Sequence, residues 1–235
     1  MTVVRSVLFS FFVYIWFVLV AVGCTPLLLF PDKVILGMFR VWGTGNHILL
    51  RIFCNIRVEV RGRQYIPTGA ALVAPKHQSM LDVFAQFTWL PASSFVTKKE
   101  LMWIPFFSWY AKRVRMIEVD RQAQATALRK LVKDATERFA EGRQVVIFPE
   151  GTRGKPGVVG DYKPGIAALY RELGVSVYPV ATNSGVHVSP NGFFRKSGLI
   201  VFEYLEPIPP GLKRAEFMRI LEERIETASM ALLPL

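Results

Sequence analysis

The sequence predicts an α/β fold, with a largely parallel central sheet flanked by helices and preceded by an N-terminal membrane-associated helical hairpin. From residue 56 onward, short β-branched or aromatic runs alternate with helical stretches, which is typical of strand–helix–strand units. Residues 6–30 carry no charge, and that run exceeds the ~20 residues needed to cross a bilayer core. The 235-residue chain has a net charge of +11, which favours an anionic partner such as lipid, nucleic acid or a phosphorylated substrate.

Residues 1–55 are predicted to form a membrane anchor of two helices. The first is the uncharged run, which ends before Pro31. The second is apolar but carries Arg40 and Arg51, so it is predicted to be an amphipathic helix at the membrane interface. A signal peptide cleaved before Cys24 is the alternative, but the apolar run continues beyond that position and favours an uncleaved anchor. The hydropathy of residues 1–55 fits two arrangements. Either the first helix crosses the bilayer, or both helices lie in one leaflet.

Residues 56–235 are predicted to form the α/β domain. Two cysteines in the apolar N-terminal quarter indicate neither a disulfide framework nor a metal site, so a reducing, cytosol-facing domain is expected. Residues 150–165 form a long loop directly after a strand, rich in glycine and charge, and such loops are disproportionately functional. The predicted strands are 57–62, 70–75, 93–98, 115–120, 143–149, 175–181 and 198–205. The predicted helices are 82–90, 106–113, 125–142, 165–173 and 215–233.

The segment KHQSMLD places His77 five residues before Asp82, at the end of a predicted strand. If Ser79 is the N-cap of the next helix, His77 lies in the preceding turn and Asp82 at the third helical position. The carboxylate can then fix the imidazole tautomer and leave the other ring nitrogen as a base. A pair without its own nucleophile suits the deprotonation of a substrate hydroxyl. Taken alone, the spacing is also that of a helix cap beside an incidental histidine.

Basic and polar residues follow three other predicted strands. They are Lys98, Arg121 and the segment 149–153. In open parallel sheets, ligands bind outside the carboxyl ends of the strands. Guanidinium and ammonium groups that converge there form a phosphate-binding site, although each one singly is an ordinary surface residue.

Four segments in this order, HQSMLD, EVDR, FPEGTR and VYPVATNSG, resemble the four sequence blocks of the glycerolipid acyltransferases. The resemblance is strongest to the bacterial 1-acylglycerol-3-phosphate (lysophosphatidic acid) acyltransferases and covers roughly residues 60–210. Two positions depart from the family. Lys76 stands where asparagine is frequent, and Arg115 stands where the second block usually begins with glycine. Both departures are expected to bear on substrate preference.

The resemblance implies a role for each matched residue. His77 would be the general base, oriented by Asp82, and the acceptor hydroxyl would attack an acyl thioester of coenzyme A or acyl carrier protein. Val177–Val180 would help to line the acyl-donor side. No metal and no cofactor besides the acyl co-substrate is implied. The residues expected to hold the phosphate of the acceptor are Arg121, Glu150, Gly151, Thr152, Arg153 and, from its place at a strand end, Lys98.

The predicted reaction is acyl transfer to the sn-2 hydroxyl of lysophosphatidic acid, giving phosphatidic acid. Membrane lipids are the expected partners, at the cell inner membrane with the catalytic domain facing the cytoplasm. One alternative is the same chemistry on another lysolipid, such as a lyso-ornithine lipid. Another is a non-catalytic membrane-surface protein that binds anionic lipid. Nucleic-acid binding rests on charge alone, without a recognisable module, so no nucleic-acid partner is expected.

Overall fold

The computed structural model of the chain describes residues 2–189 and 193–234, with the backbone alone for Thr2, Arg121 and Gln124. The strands are β1 Ile56–Arg61, β2 Ala71–Pro75, β3 Ser93–Lys98, β4 Ile117–Val119, β5 Gln144–Val146, β6 Val177–Thr182 and β7 Gly198–Tyr204. The α-helices are α1 Thr2–Gly23, α2 Asp32–Cys54, α3 Leu81–Trp89, α4 Phe107–Arg113, α5 Gln124–Ala140, α6 Pro164–Leu173, α7 Ser184–His187 and α8 Arg214–Ala231. Short 3-10 turns cover Thr25–Leu29, Arg63–Tyr65, Lys99–Trp103 and Arg121–Ala123.

The strands form a single sheet in the order β1-β7-β6-β2-β5-β3-β4. Strands β6, β2, β5, β3 and β4 run parallel, whereas β7 is antiparallel to β6 and β1 is parallel to β7. The predicted α/β fold with a largely parallel sheet is therefore confirmed, and each predicted strand is present. Because β2 lies between β6 and β5, the residues that follow these three strands meet at the same edge of the sheet.

Helices cover both faces of the sheet, as the continuous apolar runs of its central strands require. Every residue of β2 is buried. On one face, α2 and α3 contribute an aromatic cluster in which Phe39 stacks on Phe87 with ring centroids 4.4 Å apart. On the other face, α6 and α8 meet where Tyr170 stacks on Phe217 at 3.9 Å. The site therefore lies on a sheet that is held between two packed layers.

The two N-terminal helices pack against each other. Phe12 of α1 stacks on Phe53 of α2 at 4.6 Å, and the indole N–H of Trp16 donates to the backbone oxygen of Trp42 at 3.2 Å. Among the described residues, α1 is the one helix that is long and apolar enough to cross a membrane. Most of its side chains are exposed, so α1 has the length and composition of a membrane-associating helix. The division of the chain at residue 55 stays a prediction.

Candidate active site

The structure brings His77 and Asp82 together directly after β2. Nδ1 of His77 lies 3.0 Å from Oδ2 of Asp82, and the imidazole stacks on Phe148 at 4.1 Å. The Asp82 side chain is fully buried, whereas the His77 side chain is 15% exposed. Since an ionised carboxylate only accepts hydrogen bonds, Nδ1 carries the hydrogen and Nε2 is left to take a proton.

The cap of α3 differs from the predicted geometry. The helix begins at Leu81, so Ser79 is not its N-cap residue and Asp82 is the second helical residue rather than the third. The carboxylate instead satisfies the backbone N–H groups of the turn before the helix. Its Oδ2 accepts hydrogen bonds from the N–H of Gln78 at 2.6 Å and of Ser79 at 2.7 Å. The same oxygen therefore holds both the turn that precedes the helix and the histidine.

The second oxygen of Asp82 accepts hydrogen bonds from two buried hydroxyls. Oγ of Ser79 lies 3.3 Å from Oδ1, and Oγ of Ser184 donates to the same oxygen. Ser184 follows β6, inside the segment VYPVATNSG, but sequence reasoning gave it no role. With these bonds, both oxygens of the carboxylate are held in place by residues that follow neighbouring strands.

A cavity of about 1080 Å³ lies along the carboxyl edge of the parallel strands, and His77 is part of its wall. Apolar side chains of α1, α2 and α3 form much of that wall, including Val13, Phe39 and Phe84. Among the described residues that line it, four are cationic and none is Asp or Glu. The four are Lys98, Arg153, Lys163 and Arg195. Apolar walls with a surplus of positive charge suit an anionic amphiphile.

Most of the predicted phosphate-binding residues lie at this cavity. Gly151, Thr152, Arg153 and Lys98 line it together with His77. Arg121 begins the turn after β4, the edge strand three places from β2, and its side chain lies outside the described part of the structure.

Glu150 has a different environment from the one predicted. Its side chain is only 2% exposed, and its carboxylate accepts hydrogen bonds from the Lys76 ammonium at 2.9 Å and from the backbone N–H of His77 at 3.0 Å. A carboxylate would also repel a phosphate. Glu150 therefore supports the histidine from behind the cavity and is not a residue that faces the acceptor.

The cavity does not support the role expected of Val177–Val180. Val177 and Val180 are fully buried in the sheet, and none of the four residues lines the cavity. The acyl-sized space is instead bounded by α1, α2 and α3. Among the described residues, no group of three or more His, Cys, Asp or Glu could hold a metal ion, and independence from metal stays a prediction.

Sequence reasoning also missed Lys163 and Arg195, which line the cavity. Lys163 precedes α6 in the Gly-rich loop, a region that the sequence did single out. Arg195 lies outside the four segments quoted for the family, and its guanidinium carbon sits 4.1 Å from the centroid of the Phe9 ring. Only the fold brings it next to α1.

A mostly parallel sheet with a histidine–aspartate pair at its carboxyl edge is the arrangement of an α/β protein whose histidine can act as a general base. A sequence model described as Acyltransferase matches residues 57–183, more than half of the chain. The chain belongs to the acyltransferase family.

Curated relatives agree with this assignment, and a solved structure shares the fold. The chain is 35% identical over 162 residues to the 1-acyl-sn-glycerol-3-phosphate acyltransferase of Pseudomonas aeruginosa, covering 69% of this chain and 61% of that protein. It is 29% identical over 164 residues to the enzyme of the same name from Helicobacter pylori, covering 68% of each. The crystal structure of the 1-acyl-sn-glycerophosphate (LPA) acyltransferase PlsC from Thermotoga maritima matches the fold with a TM-score of 0.83, at 24% identity, over 99% of this chain and 98% of that one.

Proposed function

We propose that this protein transfers a fatty acyl group from an acyl thioester to the sn-2 hydroxyl of 1-acylglycerol-3-phosphate, giving phosphatidic acid. The observation that carries the proposal is the His77–Asp82 pair, joined at 3.0 Å, in the wall of an apolar cavity lined by four cationic side chains. The names of the relatives from Pseudomonas aeruginosa and Helicobacter pylori support the same acceptor.

The chemistry follows from the geometry of the pair. Nε2 of His77 takes the proton of the acceptor hydroxyl as its oxygen attacks the thioester carbonyl, and Asp82 stabilises the imidazolium that forms. The tetrahedral intermediate then collapses with cleavage of the carbon–sulfur bond. The imidazolium returns its proton to the leaving thiolate, which yields the ester and the free thiol. Because the thioester is already activated, a base and good positioning suffice without a covalent enzyme intermediate.

The cavity accounts for the choice of substrates. Arg153, Lys98 and Lys163 provide donors for the phosphate of the acceptor. The walls from α1, α2 and α3 provide space for hydrocarbon. The apolar helix α1 holds the protein at the bilayer that contains acceptor and product, and the acyl donor, carried by coenzyme A or acyl carrier protein, arrives from the cytoplasm. We therefore propose that the protein acts at the cell inner membrane with its α/β domain facing the cytoplasm.

The purified full chain in detergent tests the proposal with lysophosphatidic acid and an acyl-coenzyme A. We expect phosphatidic acid from the parent protein and a loss of about 10³-fold or more from His77→Ala, because the general base is removed. His187→Ala is the matched control, since its Nδ1 bonds to the Lys196 backbone oxygen and His187 does not line the cavity. Unchanged transfer in His77→Ala would reject this mechanism. Lipid binding without transfer in the parent, with coenzyme A and carrier-protein donors alike, would favour the non-catalytic lipid-binding alternative.

The acceptor is tested separately with Lys98→Met. We expect the KM for lysophosphatidic acid to rise about tenfold, since one charged hydrogen bond to phosphate is worth roughly 1.5–3 kcal/mol. The KM for a lysolipid without a terminal phosphate should not change. If the parent protein prefers the phosphate-free lysolipid, the alternative with an acceptor such as a lyso-ornithine lipid replaces the proposal.

A further inference from the structure

Lys76, immediately before the proposed base, is one of the most buried side chains of the protein. It is only 1% exposed, and its ammonium lies 2.9 Å from Oε1 of Glu150 and 2.6 and 2.8 Å from the two carboxylate oxygens of Glu226. Lysine is almost never buried unless it is paired. Glu226 belongs to α8, 150 residues further along the chain, so the C-terminal helix is tied to the residue next to His77.

The ion pair reaches the backbone of His77 through Glu150. One oxygen of Glu150 accepts from Lys76, and the other accepts the backbone N–H of His77 at 3.0 Å. The backbone oxygen of His77 in turn accepts the N–H of Gly154 at 2.8 Å. Both backbone polar groups of the histidine are therefore held by residues 150–154.

Tyr162 connects the far end of the Gly-rich loop to the same cluster. Its hydroxyl donates to Oε1 of Glu226 at 3.0 Å. Burial, together with the charges of Glu226 and Glu150, raises the pKa of the Tyr162 hydroxyl above its usual value, so it stays a donor. The loop between Gly154 and Tyr162 is thus fastened at both ends, beside the cationic residues that line the cavity.

We infer that Lys76 and Glu226 are a matched pair of positioning residues, which hold Glu150 and, through it, the backbone of His77 and the phosphate-facing loop. The inference deepens the proposed function and rests on it. One buried cation faces two buried carboxylates in this cluster. Removal of the lysine alone leaves both carboxylates without a counter-charge, whereas removal of the lysine together with the Glu226 carboxylate leaves only Glu150 unpaired and is better tolerated.

The experiment compares Lys76→Asn, Glu226→Ala and the double variant Lys76→Asn/Glu226→Gln. Glu223→Gln is the control on the same helix, where an exposed ion pair with Arg219 at 2.8 Å is broken. Transfer is measured at a temperature at which circular dichroism shows every variant to be folded. We expect kcat to fall about 10- to 100-fold in Lys76→Asn, the usual cost of a misplaced catalytic group, with a smaller change in KM. The double variant should recover part of this loss, since one of the two unpaired carboxylates is removed and the net charge of the cluster returns to that of the parent.

A second readout does not depend on activity. The chain has three histidines, so ¹⁵N-histidine labelling gives a simple spectrum in which the Nδ1–H proton of His77, bonded to Asp82, is assigned by its loss in His77→Ala. We expect this resonance to shift or broaden in Lys76→Asn and to return in the double variant. Glu223→Gln should leave it unchanged.

The inference would be overturned if Lys76→Asn lowers the melting temperature but leaves kcat and the His77 resonance unchanged. In that case the Lys76–Glu226 pair only stabilises the fold. A double variant no better than Lys76→Asn would overturn it as well. If Lys76→Asn does not fold, Glu226→Ala is measured in its place. It is expected to fold because Lys76 and Glu150 remain as a neutral pair, and a loss of kcat with a shifted His77 resonance then supports the inference. If the parent transfers no acyl group, the proposed function fails, and the His77 resonance still decides the role of the pair.

Discussion

At the scale of single residues, Asp82 is the most constrained group of the site. Its two oxygens receive hydrogen bonds from His77, Gln78, Ser79 and Ser184. We predict that Asp82→Asn folds, because the new amide can donate to the hydroxyls of Ser79 and Ser184 while its oxygen keeps the remaining bonds. Without the charge that stabilises the imidazolium, kcat should fall about 10²- to 10⁴-fold. Steady-state kinetics and a melting curve measure the two effects.

The control for this prediction is Ser184→Ala, which removes one donor and keeps the negative charge. A decrease in kcat much smaller than that of Asp82→Asn is expected. Equal losses in the two variants would indicate that the carboxylate acts through its geometry and not through its charge.

Gly160 lies against the buried side of Glu150. A Cβ atom added there would lie 2.5 Å from Oε1 and 2.8 Å from Cγ of Glu150, too close for van der Waals contact. We predict that Gly160→Ala destabilises the protein by about 1–3 kcal/mol, as overpacking does, and lowers kcat because Glu150 is displaced. Gly69→Ala is the matched control, since nothing lies within 4 Å of the corresponding Cβ. Chemical denaturation measures both; equal stability of the two variants would contradict the prediction.

The residues of the site differ in how far a sequence can reveal them. His77 and Asp82 are five residues apart, so a turn followed by a helix start near Ser79 was enough to predict that they can meet, even though the helix starts one residue later than expected from Ser79. Glu150 and its partners Lys76 and His77 all lie in segments that the sequence singled out, but Glu226, the second partner of Lys76, does not. Because Glu226 is brought to Lys76 only by the packing of α8, no local pattern could show that Glu150 points away from the cavity.

At the scale of secondary-structure elements, the turn before β4 explains one departure from the family. Arg115 has a φ of 58°, a left-handed conformation that favours glycine. Its guanidinium pairs with Glu141 at 2.8 Å on the surface and does not line the cavity, so the expected effect on substrate preference is not supported.

We predict that Arg115→Gly raises stability by about 0.5–1 kcal/mol. The relief of a left-handed non-glycine residue, roughly 1–2 kcal/mol, exceeds the value of an exposed ion pair, about 0–1 kcal/mol. Arg115→Ala should lower stability instead, because it loses the ion pair and keeps the strain. Melting curves of the two variants decide the sign, and kcat/KM should equal that of the parent in both.

The strands and the largely parallel sheet were predictable, but the antiparallel direction of β7 was not. Alternation of β-branched runs with helices predicted each strand, because burial on both faces gives a continuous apolar pattern. The antiparallel pairing of β7 with β6 could not be predicted in this way, since a buried strand has the same apolar sequence pattern in either direction. The four-residue helix α7, which carries Ser184, is likewise too short to produce a period.

At the scale of the whole molecule, exposed aromatic side chains extend the apolar surface of α1. Trp103 and Trp109, in the segment between β3 and β4, are 73% and 49% exposed. This segment contacts the end of α1, since the Tyr110 hydroxyl donates to the Ala21 backbone oxygen at 2.8 Å. Exposed tryptophans beside an apolar helix suit the membrane–water interface.

We predict that Trp103→Ser/Trp109→Ser weakens binding of the full chain to vesicles of phosphatidylethanolamine and phosphatidylglycerol by about tenfold or more, as expected for the loss of two interfacial aromatic anchors. The melting temperature in detergent should change little, because neither side chain is buried. Flotation of the protein with vesicles measures the binding. Met230→Ser, at an exposed apolar position of α8, is the control; an equal loss of binding there would argue against a membrane surface centred on the tryptophans.

The place of β1 in the sheet also sets an order of events during synthesis. β1 pairs only with β7 among the described strands, with Ile56 opposite Gly198 and Arg61 opposite Glu203. A ribosome adding ~5–20 residues each second needs roughly 7–30 s to make the intervening segment. Throughout that interval β1 exposes an unpaired edge beside α1 and α2, and such edges promote aggregation. Until β7 leaves the ribosome, the backbone N–H and C=O groups of β1 are therefore open to pairing with another chain.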